Sequence, residues 1–134
     1  MKEKTKVWIE LAKRDFTAAK LLADEDYVIN LALFHCQQTV EKMIKAVLEE
    51  LDFKVPKVHK VVELYYRLPS YIRKKVNIDV IKLQSIDDIY IETRYPSDFG
   101  LLPSGFPTKN DFIRYFEITK DIFSKIILFL ENKI

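Results

Sequence analysis

The 134-residue sequence contains very little glycine and cysteine and no long hydrophobic run. Its two glycines, Gly100 and Gly105, cannot form a P-loop or a dinucleotide-binding loop. Its single cysteine, Cys36, excludes an internal disulfide and a cysteine-rich zinc site and is typical of a reducing compartment. The longest apolar run covers residues 126–130, whereas a membrane-spanning helix needs roughly 18 residues. With no secretory signal at the start, we expect a cytoplasmic protein with no membrane partner.

Neither sign of charge is in large excess, because the chain has 22 basic and 20 acidic residues and a net charge of +2. This balance gives no general electrostatic reason to expect nucleic-acid binding, so such binding must be argued from a site. Hydrophobic residues make up 49% of the chain and charged residues 31%, which excludes a disordered chain. The length is that of one domain, and we expect residues 1–134 to form it.

Apolar residues recur at helical spacing through most of the chain. The spacing predicts helices at 4–23, 27–51, 58–68 and 78–95 and from Thr108 to about 132, with a further turn at 71–76. Thr108 and Asp111 resemble a capping box at the start of the last helix. A proline-containing loop covers 96–107, a length that is often functional.

These elements predict an all-α fold, an antiparallel up-and-down bundle of four longer helices plus a short helix. The last helix is apolar on more than one side and therefore needs two surfaces to pack against. We expect one to be the bundle and the other a second copy of the chain, giving a homodimer. The alternative is that this helix is central and surrounded on all sides by its own chain.

The sequence gives little support for a metal site or for a catalytic nucleophile. Two histidines and one cysteine form neither CxxC nor HExxH, so no metal site is expected. Cys36 lies on the apolar side of the second helix, where a lone cysteine is normally a small core residue. We interpret the adjacent His35 as a helix residue rather than a general base.

The candidate residues for a ligand site are polar and aromatic, and they lie on two predicted helices and in the connection between them. Gln38, Glu41 and Lys45 form a stripe on the second helix, bordered by Lys42, and His59 begins the third. The fourth helix carries Asp87, Tyr90 and Arg94 on one face, with Tyr95 at its exit. One interpretation pairs them internally, Glu41 with Lys45 and Asp87 with Arg94 directly or through Tyr90. The other is a groove in which the cations hold phosphate oxygens and a tyrosine stacks on a base.

Several segments together resemble the HEPN domain family, named for higher eukaryotes and prokaryotes nucleotide-binding. The segments cover residues 8–96 in the family's order: the Asp15 helix with its Ala and Leu stripe, Phe34…Gln37-Gln38…Glu41-Lys42…Lys45-Ala46, His59 followed by Leu64, and Arg94-Tyr95-Pro96. The resemblance implies a helical bundle that commonly dimerises. It also implies a setting, because small prokaryotic members are often paired with a separate minimal nucleotidyltransferase or act as one half of a toxin–antitoxin pair.

Many HEPN proteins are metal-independent ribonucleases, and their motif is absent here. It consists of an arginine, four to six intervening residues and a histidine. Neither His35 nor His59 follows an arginine at that spacing, and after Arg94 the window holds residues 99–101, which include no histidine. This departure removes the residue expected to assist attack by the ribose hydroxyl, so we expect the chain not to be catalytic alone.

The leading hypothesis is a HEPN subunit that binds a nucleotide or nucleotide-bearing substrate, with Mg²⁺ arriving only with the nucleotide. Carried over from the resemblance, the ligand-binding residues are Lys42, Lys45, His59, Arg94 and Tyr95, and the orienting partners are Gln38, Glu41 and Asp87. Asp15 is expected to accept a hydrogen bond inside the bundle. The alternatives are an RNA-cleaving toxin and a dimerisation or scaffold module without a ligand.

Overall fold

The computed structural model describes residues 1–94 and 106–132, and of residues 90–94 it describes the backbone alone. Within these ranges the chain is helical, without a strand, which confirms the predicted all-α class. The helices are α1 (Glu3–Leu22), α2 (Ile29–Glu50), α3 (Val61–Tyr65), α4 (Ser70–Val76), α5 (Val80–Arg94) and α6 (Lys109–Glu131), with a 3₁₀ turn at Asp26–Val28. Four helices are long, as predicted. The expected turn at 71–76 is instead a second short helix.

Helix α2 is the centre of the bundle. It packs against α1, α3, α5 and α6, and 15 of its 22 residues are buried. Glu41 and Lys45, two residues of the polar stripe predicted on this helix, are buried as well. A helix that is covered on nearly every side must find partners for its polar side chains within the protein.

Helix α6 is not the surrounded helix that one alternative predicted. Its inner side carries Thr119, Ile122 and Ile126, which are fully buried, whereas Ile113 and Leu128 on other sides are about half exposed or more. The predicted capping box is confirmed, since Thr108 and Asp111 bond to each other's backbone N–H groups. The homodimer stays a prediction. None of the helices in the described ranges is both long and apolar enough to cross a bilayer.

The close contact between α1 and α2 depends on small residues and on one buried carboxylate. Ala12 and Ala19 of α1 are fully buried, which lets the two helix backbones approach each other. At the other end of α2, Glu50 accepts hydrogen bonds from the Lys2 backbone N–H and from Thr5 Oγ1, both at 2.9 Å. The carboxylate thereby satisfies the exposed start of α1, where a helix has N–H groups without intrahelical partners.

Helix α3 is shorter than predicted. It begins at Val61 rather than near Val58, so His59 lies in the segment that precedes the helix. The predicted position of His59 at the start of a helix is therefore wrong. Two neighbouring elements fix this segment, and both belong to the site described next.

Candidate functional site

Several polar side chains contact one buried carboxylate on α2, that of Glu41. Lys45 Nζ lies 3.0 Å from Glu41 Oε2, which is the predicted pair one helical turn apart. Gln37 Nε2 and Gln38 Nε2 donate to Glu41 Oε1 at 3.2 and 3.4 Å. The Glu41 and Lys45 side chains are only 6% and 8% exposed, so this ion pair is largely removed from water. We call Gln37, Gln38, Glu41, Lys45 and His59 the Glu41 cluster.

His59 joins the cluster from the segment before α3. Its Nδ1 lies 3.3 and 3.4 Å from the two carboxylate oxygens of Glu41. An ionised carboxylate can only accept, so Nδ1 carries the proton in this contact. The backbone carbonyl of His59 accepts from Gln37 Nε2 at 2.8 Å, which ties the segment to α2. The imidazole itself is 53% exposed and therefore connects the buried pair with solvent.

A second carboxylate, Asp15 of α1, forms the adjoining Asp15 cluster with His35 and Lys42. Asp15 Oδ1 lies 2.8 Å from His35 Nδ1, and Asp15 Oδ2 accepts from Lys42 Nζ. Asp15 thus accepts hydrogen bonds inside the bundle, as predicted. Lys42 Nζ also donates to Gln38 Oε1 at 3.4 Å. Gln38 therefore joins the two clusters into one network that runs from Asp15 to His59.

Gln37 and His35 of the network, and Trp8 beside it, were not among the site residues predicted from the sequence. Gln37 is fully buried and bridges Glu41 and the His59 backbone. Trp8 of α1 places its ring 5.7 Å from Lys45 Nζ, a cation–π distance that covers the ammonium group from the other side. The available signal for Gln37 was its place in a helix that is apolar on most sides, where a buried amide needs internal partners.

Asp87 of α5 has backbone partners that the sequence did not predict. Its oxygens accept from the Val61 and Val62 backbone N–H groups at 2.6 and 3.1 Å, so the carboxylate caps the start of α3. The expected pairing with Arg94 or Tyr90 stays a prediction, because those side chains lie outside the described atoms. Burial raises the pKa of Asp87, while the two backbone hydrogen bonds act to lower it. Because α3 begins two residues after His59, Asp87 also positions the segment that carries the imidazole.

The structure brings together five of the predicted site residues: Gln38, Glu41, Lys42, Lys45 and His59. Asp87 lies nearby in the fold through α3. Arg94 is the last residue of α5, and its side chain lies outside the described atoms. Tyr95 lies outside the described residues.

The charges of the network are already paired. Asp15 neutralises Lys42, and Glu41 neutralises Lys45. An anionic ligand must therefore compete with a carboxylate for either lysine. Lys42 is the more accessible of the two, since 21% of its side chain is exposed against 8% for Lys45. This difference makes Lys42 the cation that a ligand can reach with less rearrangement.

Cys36 takes no part in this chemistry. Its side chain is fully buried, which confirms its assignment to the core, and burial raises the thiol pKa to about 12. Such a thiol stays protonated at neutral pH and is a poor nucleophile. Among the described residues, no group of three or more histidine, cysteine or acidic side chains is arranged to hold a metal ion.

The fold and the network together define a class: an all-α bundle whose central helix carries a half-buried ionic network reaching solvent through histidine and lysine. Comparison with known proteins identifies the family. The family model of the HEPN domain matches residues 5–131, and the chain therefore belongs to the HEPN family.

One solved structure shares this fold over nearly its whole length. It is the crystal structure of TT1696 from Thermus thermophilus, which superimposes with a TM-score of 0.76 at 21% sequence identity. The match covers 95% of this chain and 98% of that protein. At this level of identity the likeness concerns the fold. No curated protein matches the chain.

Proposed function

We propose that this HEPN protein binds a nucleotide or a nucleotide-bearing substrate and works with a separate minimal nucleotidyltransferase, including as one half of a toxin–antitoxin pair. The observation that carries the proposal is the network that joins Asp15 to His59. Three of its polar side chains, His35, Lys42 and His59, are accessible to solvent, whereas the Glu41 carboxylate behind them is buried and that of Asp15 is only 12% exposed. These accessible groups form the surface to which we assign the ligand.

The energetics of burial support a role beyond stability. Removing two charges from water costs several kcal/mol per ion, and a buried ion pair is often no more stable than apolar residues of similar volume. The Glu41–Lys45 pair therefore contributes little stability that leucine or methionine could not supply. A network that orients imidazole and ammonium groups toward solvent is what a polar ligand requires.

Each accessible group suits one part of a nucleotide. Lys42 can transfer from Asp15 to a phosphate oxygen, a charge-assisted contact stronger than a neutral hydrogen bond. His59 is held at Nδ1 by Glu41, so its ring has a fixed orientation toward a ribose or phosphate group. Arg94 and Tyr95 are proposed to add a phosphate contact and a stacking surface, as the HEPN resemblance implies. Mg²⁺ would arrive with the nucleotide.

The test is thermal unfolding of the purified protein against a panel of nucleotides, with and without Mg²⁺. A ligand that binds only the folded state at about 100 times its Kd adds about 2.7 kcal/mol of stability. We expect one nucleotide to raise Tm, and we expect His59→Ala and Arg94→Ala to reduce that increase. Lys57→Ala and Arg67→Ala are the matched controls, because both side chains are exposed and neither joins the network.

Two different negative results test the assigned site and nucleotide binding separately. A shift that all four variants retain would place the ligand elsewhere on the protein. The absence of a shift for every nucleotide would contradict intrinsic nucleotide binding.

Native mass measurement tests the proposed homodimer. Co-purification with a nucleotidyltransferase encoded in a neighbouring reading frame tests the proposed partner.

A second candidate, metal-independent RNA cleavage, is favoured by one specific observation. Both imidazoles of the network have Nδ1 within hydrogen-bond distance of a carboxylate, a geometry that orients histidine for acid–base chemistry. We expect such an activity to survive a chelator and to be lost in His35→Ala or His59→Ala. RNA that stays intact with a large excess of protein would contradict this candidate.

A further inference from the structure

A concave surface lies away from the polar network, between α4 and α6 and beside the end of α2. The groove has a volume of about 750 Å³. Leu51, Ile72, Val76 and Phe129 form its apolar floor, and three of these four side chains are buried. Its rim includes Leu128, which is 61% exposed. The volume falls within the range of about 300–1,000 Å³ that is typical of small-molecule sites.

The charged groups that line the groove are all of one sign. They are Lys75 of α4 and Lys125 of α6, and no carboxylate lines the groove among the described residues. Lys125 Nζ donates to the Asn77 backbone carbonyl at 3.0 Å and lies 3.6 Å from Asp121, which holds it in place. Lys75 forms no ion pair with a carboxylate in the described part of the chain. The rim therefore offers one positioned cation and one that is not neutralised.

From this arrangement we infer that the groove binds a single-chain amphiphile with an aliphatic tail and an anionic head. The tail lies on the aliphatic floor, where its burial contributes about 0.8 kcal/mol for each CH₂ removed from water. The head group, a carboxylate in the simplest form, lies at the rim against Lys75. Nothing in the proposed nucleotide site is needed for this binding, because none of the network residues lines the groove.

Two other occupants fit the groove less well. A nucleotide base prefers an aromatic stacking surface, and Phe129, the one aromatic residue in the described lining, is itself only 8% exposed. A second copy of the chain would place the same cationic rim against itself if the two copies met through this groove by two-fold symmetry. Like charges in such a contact repel each other, whereas an anionic head group is attracted.

The direct test is isothermal titration of the full chain with decanoate, compared with decyltrimethylammonium, which has the same tail and the opposite charge. We expect decanoate to bind and the cation to bind at least about tenfold more weakly. Decyl phosphate serves as a third probe, and the tighter of the two anions identifies the head group. Equal binding of the anions and the cation, or no binding of any probe, would overturn the inference.

Two matched pairs of variants locate the site. Lys75→Glu should weaken decanoate binding about tenfold, whereas Lys74→Glu, an equal charge change one residue away and outside the lining, should change it little. Leu128→Ser should likewise weaken binding, and Ile113→Ser, also an exposed position of α6, should not. Equal effects within either pair would overturn the assignment. The response to nucleotides should be unchanged in Lys75→Glu, so the two sites can fail independently.

Discussion

The buried pair of Glu41 and Lys45 gives a quantitative test of the network. In Lys45→Met the apolar stem of the side chain is retained beside Trp8, but the carboxylate of Glu41 loses its cation while remaining buried. Breaking a buried pair in this way costs about 3–5 kcal/mol. Gln37 and His59 still hydrogen bond to the carboxylate, so we expect the lower end, about 3 kcal/mol. For a chain of this size, that loss lowers Tm by about 10 °C.

Removal of both charges should reverse most of this loss. In the double variant Glu41→Gln with Lys45→Met, the amide oxygen still accepts from Gln37, and no charge remains buried. We expect a stability within about 1 kcal/mol of the parent protein, because apolar or neutral replacements of buried pairs are often neutral. Urea unfolding followed by circular dichroism, with a thermal scan beside it, measures both effects, and the single variant Glu41→Gln completes the cycle that gives the coupling energy of the pair.

An exposed pair with the same spacing provides the control. Arg67 and Glu63 are also four residues apart, with both side chains about half exposed, and their nearest atoms lie 3.7 Å apart. Arg67→Met should cost less than about 0.5 kcal/mol. If Lys45→Met costs no more than Arg67→Met, then Glu41 and Lys45 are not removed from water as described. The energetic support for the proposed function would then be lost.

Three further predictions concern single residues. Asp87→Ala should cost about 1–3 kcal/mol in urea unfolding, because two N–H groups of α3 lose their acceptor. Burial raises the pKa of Asp87 above its ordinary 3.8, so its contribution is most favourable below that value and is lost as the pH rises through the folded-state pKa. The parent should therefore lose stability relative to Asp87→Asn as pH rises, and the opposite slope would refute the burial effect. Cys36 should resist iodoacetamide at neutral pH until denaturant is added, and rapid labelling of the native protein would contradict a thiol pKa of about 12. Thr108→Ala should cost about 1 kcal/mol by removing the N-cap of α6, whereas an unchanged unfolding midpoint would show that the cap is not needed.

The sequence was sufficient for the four longer helices of the described ranges because their signals are local. The capping box at Thr108 involves residues three apart, and the apolar repeat of α6 follows one helix surface, so both can be recognised without tertiary structure. The Glu41–Lys45 pair was predicted for the same reason, since its members are four residues apart on one helix. Each of these features is determined by the spacing along a single element.

Contacts between elements could not be predicted from the sequence. Spacing offered Asp87 only partners on its own helix, Arg94 and Tyr90, because only residues on the same helix can be compared in that way. The partners that the structure describes are backbone N–H groups of α3, which carry no residue-specific signal. The same reason explains why the burial of Glu41 and Lys45 could not be predicted. Helical spacing places Glu41 and Lys45 on one face, but it cannot show that Trp8 and His59 cover it.

The unequal accessibility of the two lysines has a consequence for how a ligand would act. Lys42 bonds to Asp15 on α1. An anion that binds Lys42 in place of Asp15 therefore leaves His35 as the remaining described partner of Asp15. Lys45 bonds to Glu41 on its own helix and is covered by Trp8. Binding at Lys42 therefore exchanges a contact between two helices for a contact with ligand, whereas the Lys45–Glu41 pair can remain in place. Ligand binding would consequently be coupled to the packing of α1 on α2, and Asp15→Asn should strengthen anion binding by freeing Lys42 while it weakens the fold.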